Sequence, residues 1–405
     1  MIRRFAVVII TLSIAAACAQ SQDAASTQLV LGAIYPLSGP QAEGGKEELG
    51  GVQAALRVAH ANVRLQIIDA TTPDQAAAAV DTLVHRYHVP AIIGTYGSTL
   101  SAAASARADE LKTVYWETGA VADPITAHRQ YVFRTVATGS ALGRMAVTFT
   151  HDVLVPEYKL AAPRAVIVQV DDIYGQSVAG GEQELAQSMG VNVVDVVHYN
   201  QDAYDPNVIA AKVAEDKPDF LWDVSYLDDG VAIWNAVLRQ HIALKGAVGT
   251  SSAFCMPEFS ARVGAGSIGV YAADKPDSSI NSGALSPSGL ALMQQALGAY
   301  GPQMDIPAVA GFVGGWTLFH YVLPSVNGTV SAESIRQAAY AVDVPVGDSI
   351  NGGGVKFAGP GALDQGQNTR AAAVVGQWQA VGVMKVLYPA VYATGQPMSW
   401  DYSGM

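Results

Sequence analysis

The sequence predicts an α/β protein made of two successive open sheets, and three observations carry that expectation. From about residue 28 to residue 249, short apolar runs alternate with helical periods, the pattern of βαβ units around a parallel sheet. The rhythm pauses and then restarts at Arg164. The chain has 405 residues, half of them hydrophobic and 14% charged, which is too long for one core but well supplied with residues to fill two.

In chain order, residues 28–34 read as a strand, and Leu49, Val52 and Leu56 fall on one face of the helix that follows. Residues 63–68 are the next strand. Thr72-Pro73-Asp74-Gln75 then supplies an N-cap, a proline at the first helical position and a capping-box glutamine, with Ala76, Val80, Leu83 and Tyr87 turned inward. Residues 91–93 form a short buried strand, 98–111 a helix of small residues and 114–117 a further strand. The stretch around 131–135 and Gly139 reads as a crossover. In the second half, 165–170 and 191–198 are strands around a helix at 176–189. Asp205-Pro206 opens another helix, 219–224 is a strand, and Val231, Trp234 and Leu238 mark a helix face. Beyond residue 249 the pattern loosens into helices near 289–300, 307–323 and 331–341. A Gly/Pro-rich stretch at 352–366 precedes a last sheet-like pair ending near Leu387.

The first residues stand apart from this pattern. Arg3 and Arg4, an apolar run over 5–17 and the small residues Ala15-Ala16-Ala17 make an export signal, expected to be removed as 1–17. Cys18 follows directly, as in the bacterial lipoprotein cleavage box, although Ala15 stands where that box usually carries Leu. The expected product is a chain acylated on Cys18, its membrane contact that lipid alone, with 18–27 as a small, polar tether. Loss of Arg3 and Arg4 leaves 21 basic against 35 acidic residues, a net charge of −14 that disfavours nucleic acid and anionic lipid as partners. Cys18 and Cys255 are the two cysteines, so an acylated Cys18 leaves no disulfide.

Motifs for covalent or metal chemistry do not assemble. Residues 264–269, GAGSIG, match the dinucleotide fingerprint in letters but follow a helix and precede a strand, the reverse of the order a pyrophosphate needs. His85 and His88 have no third ligand at suitable spacing. Neither a nucleophile elbow nor a phosphate loop occurs. No catalytic role, metal or cofactor is expected.

Six segments in consistent order carry a resemblance: LGAIYPLSGPQAEGG (31–45), IIGTYGSTLSAAAS (92–105), GAVADPIT (119–126), YVFRT (131–135), DDIYG (171–175) and PDFLWDVSY (218–226). Together they resemble the branched-chain amino-acid binding proteins of bacterial ABC importers, the type I periplasmic binding proteins. The resemblance implies two Rossmann-like lobes joined by three crossing strands. The first would be 28–139 with 276–345, the second 140–275 with 346–405, and the chain a monomer outside the cytoplasm. It also implies a ligand between the lobes and a permease as partner, or a signalling partner if the protein is a sensor.

The expected ligand contacts follow from the same matches. Ser98 aligns with the family's carboxylate-binding serine and would open a helix, where a hydroxyl and backbone N–H groups can hold an anion; a plain N-cap would look the same. Gly119, Ala120 and Val121 match a backbone-contact loop, and Tyr174 and Tyr226 match aromatic positions of the second lobe. Trp116, Trp222 and Phe254 could extend the lining. Ser251 and Ser252 stand where the branched-chain binders carry a glutamate for the ligand's ammonium. Asp223 or Glu117 could replace that acid. Without one, the expected ligand keeps its carboxylate and lacks a free α-ammonium, making aromatic or aliphatic carboxylic acids and amides rivals to an amino acid.

Overall fold

The computed structural model describes residues 28–398, so Cys18 and the export signal lie outside the described residues. The first sheet is wholly parallel, with strand order β2-β1-β3-β4-β5. Its strands are β1 (Leu29–Tyr35), β2 (Val63–Asp69), β3 (Ala91–Gly94), β4 (Val114–Glu117) and β5 (Val132–Arg134). The connecting helices are α1 (Ala42–Val58), α2 (Pro73–Tyr87) and α3 (Ser98–Glu110). The start of α2 follows its sequence signal: Thr72 Oγ1 accepts from Gln75 N at 3.3 Å, with Pro73 in the first turn. The Gln75 side chain reaches back to Thr71 N at 2.9 Å, one residue earlier than a strict capping box.

After α4 (Gly139–Phe149), which continues through a π-helical turn into α5 (Val155–Glu157), the second sheet begins. It holds β6 (Arg164–Val170), β7 (Asn192–Tyr199), β8 (Phe220–Val224), β9 (Gly246–Thr250), β10 (Tyr271–Asp274), β11 (Val374–Ala380) and β12 (Val383–Tyr388). The order is β12-β11-β10-β9-β8-β6-β7, parallel except where β11 pairs with β10 and β12. Its helices are α6 (Ile173–Met189), α7 (Pro206–Asp216), α8 (Leu227–Arg239) and α9 (Pro257–Val263). Residues 264–269 lie between α9 and β10, so the glycine-rich letters do sit in helix-then-strand order.

Three more helices, α10 (Pro287–Tyr300), α11 (Ile306–Trp316) and α12 (Ala332–Tyr340), return to the first lobe. α11 begins an apolar helical run, Ile306–Ser325, that is mostly buried, the behaviour of a core helix. It packs closely on α1 because both helices present glycine. A Cβ on Gly51 would lie 2.0 Å from Ala308 O, and one on Gly311 would lie 2.0 Å from Glu48 O. That approach presses Glu48 into the interior.

The chain passes between the lobes three times, after β5, after β10 and before β11. The first and third passages are bonded together: Gln367 Nε2 donates to Val136 O at 2.8 Å and Asn368 Nδ2 to Thr135 O at 2.9 Å. Two expectations need correction. Residues 139–149 are a helix packed on α6, not part of a crossover. The segment after residue 346 does not enter the second lobe at once. Ile350, Val355 and Phe357 pack in the first-lobe core, with Phe357 edge-on to Trp116 and Phe133 at 5.3 and 5.2 Å between ring centres. Its glycines fold it as an irregular loop held by the bridge Val344↔Val355, and the chain rejoins the second sheet only at β11.

Candidate functional site

Parallel strands direct their connecting loops to one edge of each sheet, and the two such edges face each other across a cleft. From the first lobe come Tyr96, Gly97 and Ser98 after β3, Gly119, Ala120 and Val121 after β4, and Glu48 from α1. The second lobe supplies Tyr174, Tyr226, Ser251, Ser252, Cys255, Met256, Asp274 and Lys275, and the start of α11 adds Ile306, Pro307 and Ala310.

Helix α3 meets this cleft without a cap. Gly97 occupies the N-cap position and has no side chain to accept from the first turn. Ser98 is therefore the first helical residue, not the cap. Its Oγ accepts from Ala122 N at 3.1 Å, which leaves its own hydroxyl proton free to donate. A helix end whose first-turn N–H groups have no side-chain cap, with a hydroxyl beside it, is suited to an anion, and a carboxylate is the small organic form.

The loop after β4 is less available than expected. Glu117 turns back on it, Oε1 accepting from Gly119 N at 2.6 Å and Ala120 N at 2.7 Å, while Oε2 accepts from Ser101 Oγ and from Thr95 N at 3.3 Å. Gly119 and Ala120 thus line the cleft with their N–H groups already engaged. Among the described residues the Val121 N–H has no such partner. Burial pushes the Glu117 carboxyl up to about 7 against the pull of these bonds. Its role is to hold the loop, and it does not line the cleft.

In the second lobe, Asp172 caps α6 by accepting from Tyr174 N and Gly175 N, both at 2.9 Å. Its other oxygen accepts from Tyr226 OH at 2.8 Å, and Tyr174 OH donates to Thr250 O at 2.6 Å. Both phenols are tied to protein, so the ring faces, 5.1 Å apart between centres, are what the two tyrosines offer. Ser251 follows β9 with φ 61° and ψ 177°, a backbone conformation that costs an L-residue energy. Its N–H donates to Ala273 O at 2.9 Å.

Three expected lining residues and one expected acid lie elsewhere. Trp116 is buried against Phe133 and donates its indole N–H to Gly314 O at 2.9 Å. Trp222 donates to Thr150 Oγ1 at 3.1 Å beneath the second sheet, and Phe254 packs on Phe259 with 4.4 Å between ring centres. Asp223 is 1% exposed, accepts from Ser225 Oγ, and is pushed up to about 8 by burial. These side chains point onto sheet faces covered by helices, whereas the cleft lies beyond the strand ends.

The acids that do reach the cleft are Glu48 and Asp274, which the sequence reading missed. Asp274 pairs with Lys275, Oδ1 to Nζ 3.0 Å, and Lys275 Nζ also donates to Gly119 O of the other lobe at 3.4 Å. Asp274 had a usable signal, since it ends a strand. Glu48 had none, because its burial depends on a helix more than 250 positions later. His85 is exposed, with Nε2 3.7 Å from Asp81 Oδ1, and His88 is exposed at the end of α2.

This two-lobed arrangement matches known proteins along nearly its whole length. A family model described as periplasmic binding protein matches residues 28–381. The Leu/Ile/Val-binding protein homolog 8 of Brucella abortus (strain 2308) is 28% identical over 383 residues, covering 90% of this chain and 92% of the relative. A leucine-binding protein from Thermotoga maritima superposes with a TM-score of 0.76 at 18% identity, covering 89% of this chain and 97% of its own. An R. palustris solute-binding protein in complex with benzoate superposes at 0.72, also 18% identical, over 92% and 98%. Two parallel-sheet lobes, their crossing strands and a family match over most of the length lead to one conclusion: the chain belongs to the periplasmic binding protein family, with the type I fold.

Proposed function

We propose that this protein is an extracytoplasmic solute-binding lipoprotein that captures a small carboxylate-bearing ligand between its lobes and delivers it to an ABC importer. The observation that carries the ligand class is the uncapped end of α3, where Gly97 leaves first-turn N–H groups facing the cleft beside the Ser98 hydroxyl. The paired rings of Tyr174 and Tyr226 and the apolar start of α11 suit a hydrocarbon body. Closing two lobes around such a ligand presents a surface drawn from both, which is how a permease can distinguish loaded from empty protein. The sequence around Cys18 supports anchoring by lipid.

Calorimetric titration of the purified mature chain with amino acids, benzoate, 3-phenylpropionate and their amides tests the ligand class. Carboxylates should bind and the matched amides should not; amide binding of equal strength would overturn it. For the anchor, intact mass should show diacylglyceryl on Cys18, and Cys18→Ala should release the protein from membranes. A soluble, unmodified wild type would refute the anchor and leave the binding role standing.

A further inference from the structure

We propose that Glu48 is a ligand-contacting residue, the acid that receives a ligand's ammonium group, so that the cleft selects ammonium carboxylates over bare acids. The inference rests on the carboxylate reading above. Three charged side chains line the cleft: Glu48, Asp274 and Lys275. Asp274 and Lys275 neutralise each other at 3.0 Å. Glu48 has no such partner. Its Oε1 accepts from Thr118 Oγ1 at 2.5 Å, and that hydroxyl in turn meets Tyr35 OH at 2.9 Å. Oε2, fully buried, has no hydrogen bond among the described residues.

The surroundings make room for that oxygen. A Cβ on Gly119 would lie 1.8 Å from Glu48 Oε2, so any larger residue there would displace the carboxyl. An unpartnered buried carboxyl oxygen is costly, and the cost is recovered when a group with both charge and donors arrives. An ammonium supplies both. A bare carboxylic acid supplies neither, and its own charge has the end of α3 to meet. Ser251 and Ser252 provide no acid on the opposite wall.

Charge balance then predicts a proton. The titratable groups that interact with Glu48 are Glu117 and Tyr115 from β4, Tyr35 from β1, Tyr96 after β3 and Lys275 after β10, the last paired with Asp274. Burial, then Glu117, raises the Glu48 carboxyl well above the usual range, while Thr118 and Lys275 act the other way. In the empty cleft Glu48 therefore holds its proton to higher pH than an ordinary carboxyl. When an ammonium enters, the O–H bond breaks, the proton passes to buffer, and the carboxylate pairs with the cation.

The test is calorimetry on the full mature chain at pH 7 in phosphate and in Tris, whose ionisation heats differ. The probes are matched pairs, L-leucine with 4-methylpentanoate and L-phenylalanine with 3-phenylpropionate, with benzoate as a further acid. The expected result is that at least one amino acid binds about 10-fold or more tighter than its partner, the low end for a charged hydrogen bond. Its heat should shift between buffers by about one proton released, while the bare acid's heat should not. Glu48→Gln should remove both the preference and the buffer dependence. Thr118→Val, which unseats the carboxyl without removing it, should reduce the preference. Bare acids binding as tightly as amino acids, or amino-acid binding without proton release, would overturn the role of Glu48 and leave the carboxylate reading intact. No binding by any of these carboxylates would overturn that reading and the role of Glu48 together.

Discussion

The Tyr96 hydroxyl of the first lobe meets the Ser252 hydroxyl of the second at 3.2 Å, directly across the cleft. The same ring fills the space over Gly44, where a Cβ would come within 2.4 Å of it, and its hydroxyl lies 3.6 Å from Met256 Sδ. Ser177 Oγ accepts from Asp123 N at 3.0 Å on another side of the interface, and Lys275 reaches Gly119 O. Polar contacts of this kind, each worth about 1 kcal/mol, join the lobes alongside the apolar packing of Val121, Ile306 and Ala310 against the second lobe. Contacts of that size permit opening while letting a ligand tip the balance toward the closed form.

Tyr96→Phe should consequently weaken ligand binding by about 0.5–1.5 kcal/mol, the net worth of one hydrogen bond, with the loss appearing in a faster dissociation rate. Stopped-flow displacement of a bound ligand measures it. The fold should be unaffected, since the ring stays. An unchanged dissociation rate would show that the Tyr96–Ser252 contact does not hold the cleft shut.

Ser98→Ala removes a hydroxyl that accepts from Ala122 N and faces the cleft. Ligand affinity should fall by about 1.5–3 kcal/mol, the range for a hydrogen bond to a charged group, while thermal stability falls by only about 1 kcal/mol. Because Gly97 and not Ser98 holds the cap position, no capping loss is added. Equal binding with lower stability would confine Ser98 to supporting the Ala122 loop.

The strands were legible because burial on both faces writes itself as an uninterrupted apolar run, as in residues 91–93 and 165–168. α4 was harder to see. Two glycines at its start suggest a loop, although Leu142, Ala146 and Phe149 keep helical spacing, and Thr138 caps it, accepting from Ala141 N at 3.2 Å. In the site, Ser98, Tyr174 and Tyr226 follow strands closely, and chain order alone brings such positions to the cleft edge. Trp116, Trp222 and Asp223 were misjudged because they lie within strands, where alternate side chains are carried onto the sheet faces. Glu48 was illegible for another reason: its position is set by the approach of α11 at Gly311, a contact between distant parts of the chain.

Several buried carboxyls give stability a pH dependence of definite sign. Burial raises Glu182 to about 8, Asp223 to about 8 and Glu117 to about 7, and burial with Asp305 and Glu258 nearby raises Glu47 to about 9. Each holds its proton in the folded chain at a pH where the unfolded chain has lost it. Such groups contribute stability that is complete below the unfolded values near 4 and is lost progressively as pH rises through the folded values. Glu333 acts in the opposite sense, lowered to about 2 by Arg336, but matters only below the ordinary carboxylate range. The melting temperature should therefore fall between pH 6 and pH 9, and Glu182→Gln should flatten that slope. A melting temperature that rises over this interval would contradict the assignment.

Arg134 at the end of β5 offers the sharpest test of how the crossing strands are joined. It is fully buried, and its guanidinium donates to Gln367 Oε1 at 2.6 Å, Ala122 O at 2.6 Å and Thr126 Oγ1 at 3.1 Å. Gln367 in turn donates to Val136 O, so one side chain ties the loop below the cleft to two of the three interlobe passages. Burial lowers the guanidinium to about 10, which leaves it charged at neutral pH. Arg134→Met would keep much of the volume and strand three buried acceptors, each costing about 1–3 kcal/mol, so a loss of about 3 kcal/mol or more is expected in chemical denaturation. Arg134→Lys should recover only part of it, because one ammonium cannot reach three acceptors spread around a planar fork. Ligand affinity should fall as well, through displacement of the Ala122 loop that braces Ser98. A methionine variant as stable as wild type would mean that the passages are held by backbone pairing alone.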